Sequence, residues 1–96
     1  MEEILSKTIR WECTNWFFRE DGFIQVYTQI GGKVILNEVL TKIWSNIDYE
    51  TTIGDLWEKV KNSVSEEEFI DSIKEIDLYQ LVSVSDKSDE FDSIFN

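Results

Sequence analysis

Hydrophobic and polar residues follow two different periods along the chain, and the change comes after Leu36. Between residues 23 and 30 successive side chains alternate, with Ile24 and Val26 on one face and Gln25 on the other, as in a β-strand. After Leu36 the apolar residues recur at the spacing of α-helices. The sequence therefore predicts strands first and helices second, which indicates an α+β fold.

Two turn signals divide the first third of the chain into three predicted strands. Asp21-Gly22 and Gly31-Gly32 both tolerate the positive φ angles that tight hairpins require. The first strand falls between Ile9 and Phe18, with a bend expected at Thr14-Asn15, and the third is a short strand at Lys33 to Leu36. We expect a three-stranded antiparallel β-meander whose third strand lies at a sheet edge unless the C-terminus covers it.

Three residues that cap helices well begin the predicted helices. Asn37, Thr52 and Ser65 each precede a helical run, and Ser65 with Glu68 forms a capping box. The inner faces are expected to hold Val39, Leu40, Ile43, Trp44 and Ile47 in the first helix, Ile53, Leu56, Trp57 and Val60 in the second, and Phe69, Ile70, Ile73 and Ile76 in the third.

The predicted architecture is winged-helix-like, with a three-stranded antiparallel β-meander followed by three short α-helices. Leu81, Val82 and Val84 are expected to form a short extended segment that closes a single domain over residues 1–84. Residues 85–96 are polar and acidic, and we expect them to form a flexible tail.

The charge balance excludes several classes of partner. The chain carries 20 acidic and 9 basic residues, a net charge of −11. Such a surface repels phosphate backbones and anionic lipid, so we expect neither a nucleic-acid nor a membrane partner. Hydrophobic residues make up 42% of the chain, which is too many for a disordered protein. The acidic excess is concentrated in residues 51–96, where 12 acidic and 4 basic residues give −8.

The residues that usually carry catalysis are scarce. The chain has no histidine, and its single cysteine, Cys13, therefore has no histidine to activate it. We interpret Cys13 as a buried apolar residue. No phosphate-binding or metal-binding motif is present, so we expect no enzyme, no cofactor and no metal. With no signal peptide, no transmembrane run and no cysteine pair, a reducing, cytoplasmic compartment is expected.

A set of motifs in the middle of the chain resembles a known family. The run Gly32-Lys33-Val34-Ile35-Leu36-Asn37 is followed by Ile43-Trp44, and then by the segment from Tyr49 to Leu56. In this order the motifs resemble PqqD-like proteins, the RiPP recognition elements that bind leader peptides of ribosomally made, modified peptides. The resemblance spans residues 9–84 and includes the third-helix pattern of Phe69, Ile73, Ile76 and Leu81.

Three residues depart from the family pattern. Tyr49 occupies a position that usually holds glycine, and Gln80 a position that often does. Ser72 replaces a large apolar residue on the third helix. These differences concern the shape of the binding groove more than the fold.

The resemblance implies a stand-alone, non-catalytic adaptor, or peptide chaperone, in natural product biosynthesis. A leader peptide would add as an antiparallel strand to the third strand, beside the third helix. The partners implied are the precursor peptide and a maturation enzyme, such as a radical SAM enzyme, a leader protease or a cyclase. Phe69 is expected at the rim of the cleft. The candidate binding residues are Lys33, Val34, Ile35, Leu36, Phe69, Ser72, Ile73 and Ile76.

Side chains of the predicted third strand point alternately to its two faces, with Val34 and Leu36 on one face and Lys33 and Ile35 on the other. The sequence leaves open which of these pairs lines the cleft. The third helix is acidic, and Asp71 and Glu75 are candidates for selecting a leader that carries basic residues.

Two other functions compete with leader binding. A winged-helix DNA-binding regulator would need a basic recognition helix. The helix in that position, residues 66–78, holds six acidic residues and one lysine, a balance of −5. A generic peptide-binding module that uses the same strand edge in protein interactions is the second alternative.

Overall fold

The computed structural model describes residues 2–86. This part of the chain forms a small α+β fold with two three-stranded antiparallel sheets and four helices. In chain order the elements are α1 (Glu2–Leu5), β1 (Thr8–Trp11), β2 (Trp16–Phe18), β3 (Ile24–Tyr27), β4 (Lys33–Ile35), α2 (Glu38–Ile47), β5 (Glu50–Thr52), α3 (Ile53–Val60), α4 (Glu66–Leu78) and β6 (Val82–Ser85).

The first sheet, here the meander sheet, contains β2, β3 and β4 in that order. Its two hairpin turns fall where the glycines predict them, and both Gly22 and Gly31 have positive φ angles of 88° and 91°. Val26 lies at the centre, paired with Trp16 on one side and Val34 on the other. The predicted antiparallel meander is therefore present, although its first strand is shorter than expected.

The second sheet, here the long-range sheet, has the order β5-β1-β6. Ile9 in its central strand pairs with Thr51 on one side and Val84 on the other. The bend expected at Thr14-Asn15 falls in the interruption between β1 and β2. The expectation that both parts belong to the first strand of one meander is wrong, because β1 and β2 lie in different sheets. The N–H groups of residues 12 and 13 both donate to the Leu81 carbonyl, which ends the regular pairing of β1.

The three predicted helices begin at the expected caps. Asn37, Thr52 and Ser65 each accept a hydrogen bond from a main-chain N–H three residues later, and the capping box of Ser65 and Glu68 is complete. The short helix α1 and the strand β5 are additional elements that the sequence patterns do not indicate. The predicted closing segment is β6, with bounds Val82–Ser85.

One hydrophobic cluster joins both sheets and the helices, in keeping with a single domain. Ile9 of the long-range sheet, Ile24 of the meander sheet and Trp44 of α2 are all fully buried in it. Ser85 still belongs to β6, so the expected tail begins later than residue 85. Its residues 87–96 lie outside the described part of the chain.

Three residues other than glycine have positive φ angles: Asp48 at 52°, Tyr49 at 76° and Gln80 at 61°. Aspartate tolerates this region, whereas Tyr49 and Gln80 carry backbone strain there. Tyr49 connects α2 to β5, and Gln80 connects α4 to β6. Both are positions at which PqqD-like sequences usually or often carry glycine.

Candidate functional site

The third strand of the meander sheet has a neighbouring strand on one side only within residues 2–86. The order of the sheet places β4 at its end, and β6 lies against β1 in the other sheet instead of covering it. We call Lys33–Ile35 the β4 edge. A strand in this position offers main-chain hydrogen-bonding groups to an incoming peptide.

Main-chain groups along the β4 edge alternate in direction. The Gly32 carbonyl accepts a hydrogen bond from the residue after β3 at 2.9 Å, and the Leu36 N–H donates to a β3 carbonyl at 2.8 Å. Val34 lies between them in the same register, so its main chain also faces β3. The N–H and C=O groups of Lys33 and Ile35 therefore face away from the sheet, towards a possible added strand.

Side chains of the β4 edge divide between the core and solvent, with Val34 and Leu36 on the inner face and Lys33 and Ile35 on the outer face. Leu36 is fully buried and Val34 is half-buried against the core. Lys33 is exposed, and Ile35 is 48% exposed on the outer face of the sheet. Val34 is therefore the residue of this edge that can form the floor of a cleft.

A cavity of about 180 Å³, here the tip pocket, lies beside Val34 where the β3–β4 turn approaches the end of α4. Sites for small molecules are generally larger, roughly 300 to 1,000 Å³. The size of the tip pocket fits one amino-acid side chain better than a whole small ligand. Its lining residues are Cys13, Thr28, Gln29, Ile30, Val34, Tyr79 and Gln80.

Hydrogen bonds tie the walls of the tip pocket together. The Gln29 side chain donates from Nε2 to the Glu12 carbonyl at 3.1 Å, which fixes the β3–β4 turn against the segment between the two sheets. The Cys13 N–H donates to the Leu81 carbonyl at 3.3 Å, which fixes the same segment against the chain after α4. The pocket is thus a built feature of the fold, formed from three separate segments.

The mouth of the tip pocket is apolar. Ile30, in the β3–β4 turn, is 96% exposed, and Tyr79, at the end of α4, is 58% exposed. Exposed apolar side chains that lie together around a pocket are typical of a surface that a partner covers. Ile35 is also half exposed, but it lies on the outer face of the sheet and not in the tip pocket.

The structure places the four candidate leader-binding residues of α4 in the core. Phe69 is fully buried and packs against Trp57 with ring centroids 5.0 Å apart, so the expectation that it lies at the rim is wrong. Ile73 and Ile76 are 1% exposed, and Ser72 is 8% exposed. None of the four α4 candidates lines the tip pocket, because their face of the helix packs into the core.

The two acidic candidates occupy the solvent-exposed surface of α4. Asp71 and Glu75 are both exposed, and neither lines the tip pocket. Glu75 lies one helical turn before Tyr79, which does line it. If these carboxylates select basic residues, the selected residues of the leader peptide would therefore lie past the pocket, along α4.

Cys13 is 4% exposed, as expected for a buried apolar residue, and it contributes to the wall of the tip pocket. Burial raises the pKa of its thiol, and the negative charge of Glu12 adds to that effect, while a hydrogen bond with the Gln29 main chain opposes it. The thiol is consequently held in its protonated form, which is the less nucleophilic one.

Three parts of the site were not predicted as binding residues: the segment at Cys13, the side chains of the β3–β4 turn and the residues after α4. The position of the turn itself was predicted from Gly31-Gly32. The signal for the turn was Ile30, an apolar residue directly before Gly31-Gly32. Tyr79 and Gln80 could be recognised only after their approach to β4 was known, because they follow the end of that strand by 44 and 45 positions.

No family model matches the chain, and neither the curated proteins nor the solved structures provide a match. None of these comparisons adds to the resemblance to PqqD-like proteins, which comes from the sequence motifs. Within residues 2–86, the acidic and cysteine side chains form no group of three or more that could hold a metal ion. None of the helices in the same range has the length and apolar character needed to cross a bilayer.

Proposed function

We propose that this chain is a stand-alone, non-catalytic RiPP recognition element with a winged-helix-like fold. In this proposal the leader region of a precursor peptide adds to the β4 edge as an antiparallel strand. The chain then delivers the precursor to a separate maturation enzyme, a radical SAM enzyme, a leader protease or a cyclase. The observation that carries the proposal is the β4 edge, which has outward-facing main-chain groups and opens beside the tip pocket.

Strand addition would combine two sources of binding energy. The main-chain groups of Lys33 and Ile35 would pair with any extended peptide, which gives affinity without reading its sequence. One alternate side chain of the added strand would enter the tip pocket beside Val34. We expect that side chain to be apolar, because Ile30 and Tyr79 surround the mouth of the pocket.

The backbone at Tyr49 and Gln80 gives independent support to the family resemblance. PqqD-like sequences tend to carry glycine at these two positions, and glycine adopts positive φ without steric cost. This chain has positive φ at both positions although neither is glycine. The agreement concerns backbone conformation, which the motif comparison did not use.

Charge supports a peptide partner over DNA. The third long helix, α4, carries a balance of −5, and phosphate groups would be repelled from it. A leader with basic residues beyond the pocket would instead be attracted to Glu75 and Asp71. A generic peptide-binding module would share this geometry, and the identity of the peptide that binds separates the two functions.

The decisive experiment is a titration with labelled synthetic peptides that correspond to the N-terminal regions of short open reading frames next to this gene. We expect saturable fluorescence polarisation and amide chemical-shift changes at Lys33–Leu36. Ile35→Pro removes an outward-facing N–H without breaking a hydrogen bond to β3. Because the added strand loses that hydrogen bond, the Kd of the leader for this variant should rise about tenfold or more.

Phe18→Pro is the matched control, because it removes an outward-facing N–H from the opposite edge of the same sheet. It should leave the Kd of the leader within about twofold of wild type. Unchanged amide shifts at Lys33–Leu36 at saturation, or wild-type affinity in a folded Ile35→Pro variant, would exclude strand addition at the β4 edge.

A further inference from the structure

The opposite edge of the meander sheet, β2, is composed entirely of aromatic residues. Trp16, Phe17 and Phe18 form this strand, here the β2 edge, and the last two are 43% and 55% exposed. Natural sheets usually protect their edges with charged side chains, proline or bulges. Of the three other edge strands within residues 2–86, β4 and β5 carry Lys33 and Glu50, and β6 alternates valine and serine. The β2 edge carries neither a charge nor a small polar residue.

Main-chain groups along the β2 edge are available for pairing. The Arg19 N–H donates to the Phe23 carbonyl at 2.7 Å, and the Asn15 carbonyl accepts from the other end of β3 at 2.9 Å. Odd-numbered residues of this segment therefore turn their main chain towards β3. It follows that the N–H and C=O groups of Trp16 and Phe18 face outward.

We propose that the β2 edge binds a second copy of this chain. The two β2 strands would pair antiparallel about a two-fold axis at Phe17. That register places Trp16 opposite Phe18 of the second copy, and each such pair can exchange both of its main-chain hydrogen bonds. This symmetry requires free main-chain groups on both sides of Phe17, and the outward-facing N–H and C=O groups of Trp16 and Phe18 provide them.

The same register brings aromatic side chains together on both faces. Phe17 would meet Phe17 of the second copy on the outer face, where it already contacts Tyr27 at a ring-centroid distance of 6.2 Å. On the inner face Trp16, which already meets Phe18 at 5.8 Å, would meet Phe18 of the second copy. Aromatic cross-strand pairs are among the more stabilising ones in sheets.

Local charge does not oppose a second copy at this edge. Residues 14–36 contain two basic and two acidic residues and have no net charge, whereas α4 has −5. The Arg19 side chain is already bound to Asp21 at 3.2 Å and to Gln25 at 3.3 Å. In the proposed register Arg19 lies opposite Asn15, so no like charges face each other.

Two consequences distinguish this interface from tight dimers. A pairing of two three-residue strands buries far less than the roughly 1,600 Å² of a standard interface, so association is weak. Each copy carries −11 overall, and screening this repulsion with salt strengthens association. Both β4 edges remain open at the ends of the joined sheet, so the dimer does not depend on leader binding.

Sedimentation velocity of the full chain tests the proposal, from about 10 to about 500 µM and from about 0.05 to about 0.5 M NaCl. The mass should rise from 11.4 kDa towards twice that value with concentration, and further at high salt. Phe18→Pro removes an outward N–H, and Phe17→Lys places like charges at the axis. Each should weaken association about tenfold or more.

Ile35→Pro is the matched control, since it changes the other edge and should leave association at the wild-type level. A chain that stays monomeric throughout the range overturns the proposal. Wild-type association in Phe17→Lys also overturns it, as does a dimer that is lost only in Ile35→Pro. Because leader binding is measured on the same variants, failure at one edge is distinguishable from failure at the other.

Discussion

The two sheets have the same number of strands but draw them from very different distances along the chain. In the meander sheet, neighbouring strands are also neighbours in sequence, joined by two tight turns. In the long-range sheet, Ile9 pairs with Thr51 and Val84, at separations of more than 40 and 70 residues. The first sheet can form from local signals, whereas the second needs most of the chain to be folded.

The sheets also differ in what they present to solvent. The meander sheet exposes large apolar side chains at both edges, represented by Phe18 on β2 and Ile35 on β4. Edge strands of the long-range sheet carry mainly polar residues, such as Glu50 and Ser83. Candidate interaction surfaces are therefore concentrated on the locally formed sheet, while the long-range sheet anchors the ends of the described chain.

Three tryptophans connect the two sheets. Trp11 of the long-range sheet stacks on Trp44 of α2 with ring centroids 5.6 Å apart, and Trp16 of the meander sheet meets Trp11 edge to face at 5.1 Å. Trp11 also donates from Nε1 to the Trp44 carbonyl at 3.2 Å. This cluster makes the two sheets parts of one core, so they should unfold together.

The strongest test of that coupling is Ile9→Ala in the centre of the long-range sheet. Ile9 is fully buried, and its truncation should lower the free energy of unfolding by about 2 to 5 kcal/mol. Urea unfolding followed by both tryptophan fluorescence and far-ultraviolet circular dichroism should still give one transition. Fluorescence reports on the cluster that joins the sheets, so separate midpoints for the two signals would show that they unfold independently.

Ile35→Ala is the control from the meander sheet. The same side chain is removed, but Ile35 is about half exposed and makes no contribution to the buried cluster. Its effect should be below about 1 kcal/mol. A cost comparable to that of Ile9→Ala would mean that the outer face of the meander sheet is covered in solution.

The outcome of sequence-based prediction follows the same division. The turns at Gly22 and Gly31 and the helix caps at Asn37, Thr52 and Ser65 depend on neighbouring residues, and all were predicted. A bend between β1 and β2 was expected, but their assignment to different sheets was missed because it depends on partners at residues 50–52 and 82–85. A pattern of alternating residues contains no information about which distant strand will pair with it.

Prediction of the candidate site was limited for a related reason. The exposed main chain of Lys33 and Ile35 follows from their place at the end of a local meander, which the sequence indicates. Burial of Phe69 depends on its contact with Trp57, and periodicity alone cannot distinguish the centre of a core from its rim. The approach of Tyr79 to the β3–β4 turn is a tertiary contact with no local signal.

An intermediate effect is expected from Thr41→Val, which tests how the meander sheet is attached to α2. The Thr41 hydroxyl accepts a hydrogen bond from the Ile24 N–H at 3.2 Å and donates to the Leu36 carbonyl at 3.3 Å. Thr41 is 8% exposed, so valine would leave a buried N–H without a partner. The free energy of unfolding should fall by about 1 to 3 kcal/mol, and exchange of the Ile24 amide should accelerate.

Ser45→Ala is the matched control for the loss of a helical hydroxyl. Ser45 donates to the Lys42 carbonyl at 3.2 Å, but it is exposed and water can replace the bond. Its effect should remain within about 0.5 kcal/mol. If Thr41→Val were equally neutral, the hydroxyl bridge would not be what attaches the meander sheet to α2.

Apart from the control variants, the smallest effect is expected from Tyr49→Gly at the entry to the long-range sheet, and it is a gain in stability. Tyr49 accepts a hydrogen bond from the Trp11 N–H at 2.8 Å while its own φ is 76°, so forming this sheet imposes backbone strain there. Glycine removes the strain but adds conformational freedom to the unfolded chain, which leaves a net stabilisation of about 1 kcal/mol in urea unfolding.

Asp48→Gly, at a neighbouring φ of 52°, is the control and should gain less stability, because aspartate tolerates this region. A loss of stability in Tyr49→Gly would mean that the exposed tyrosine ring supports the long-range sheet by more than the strain costs.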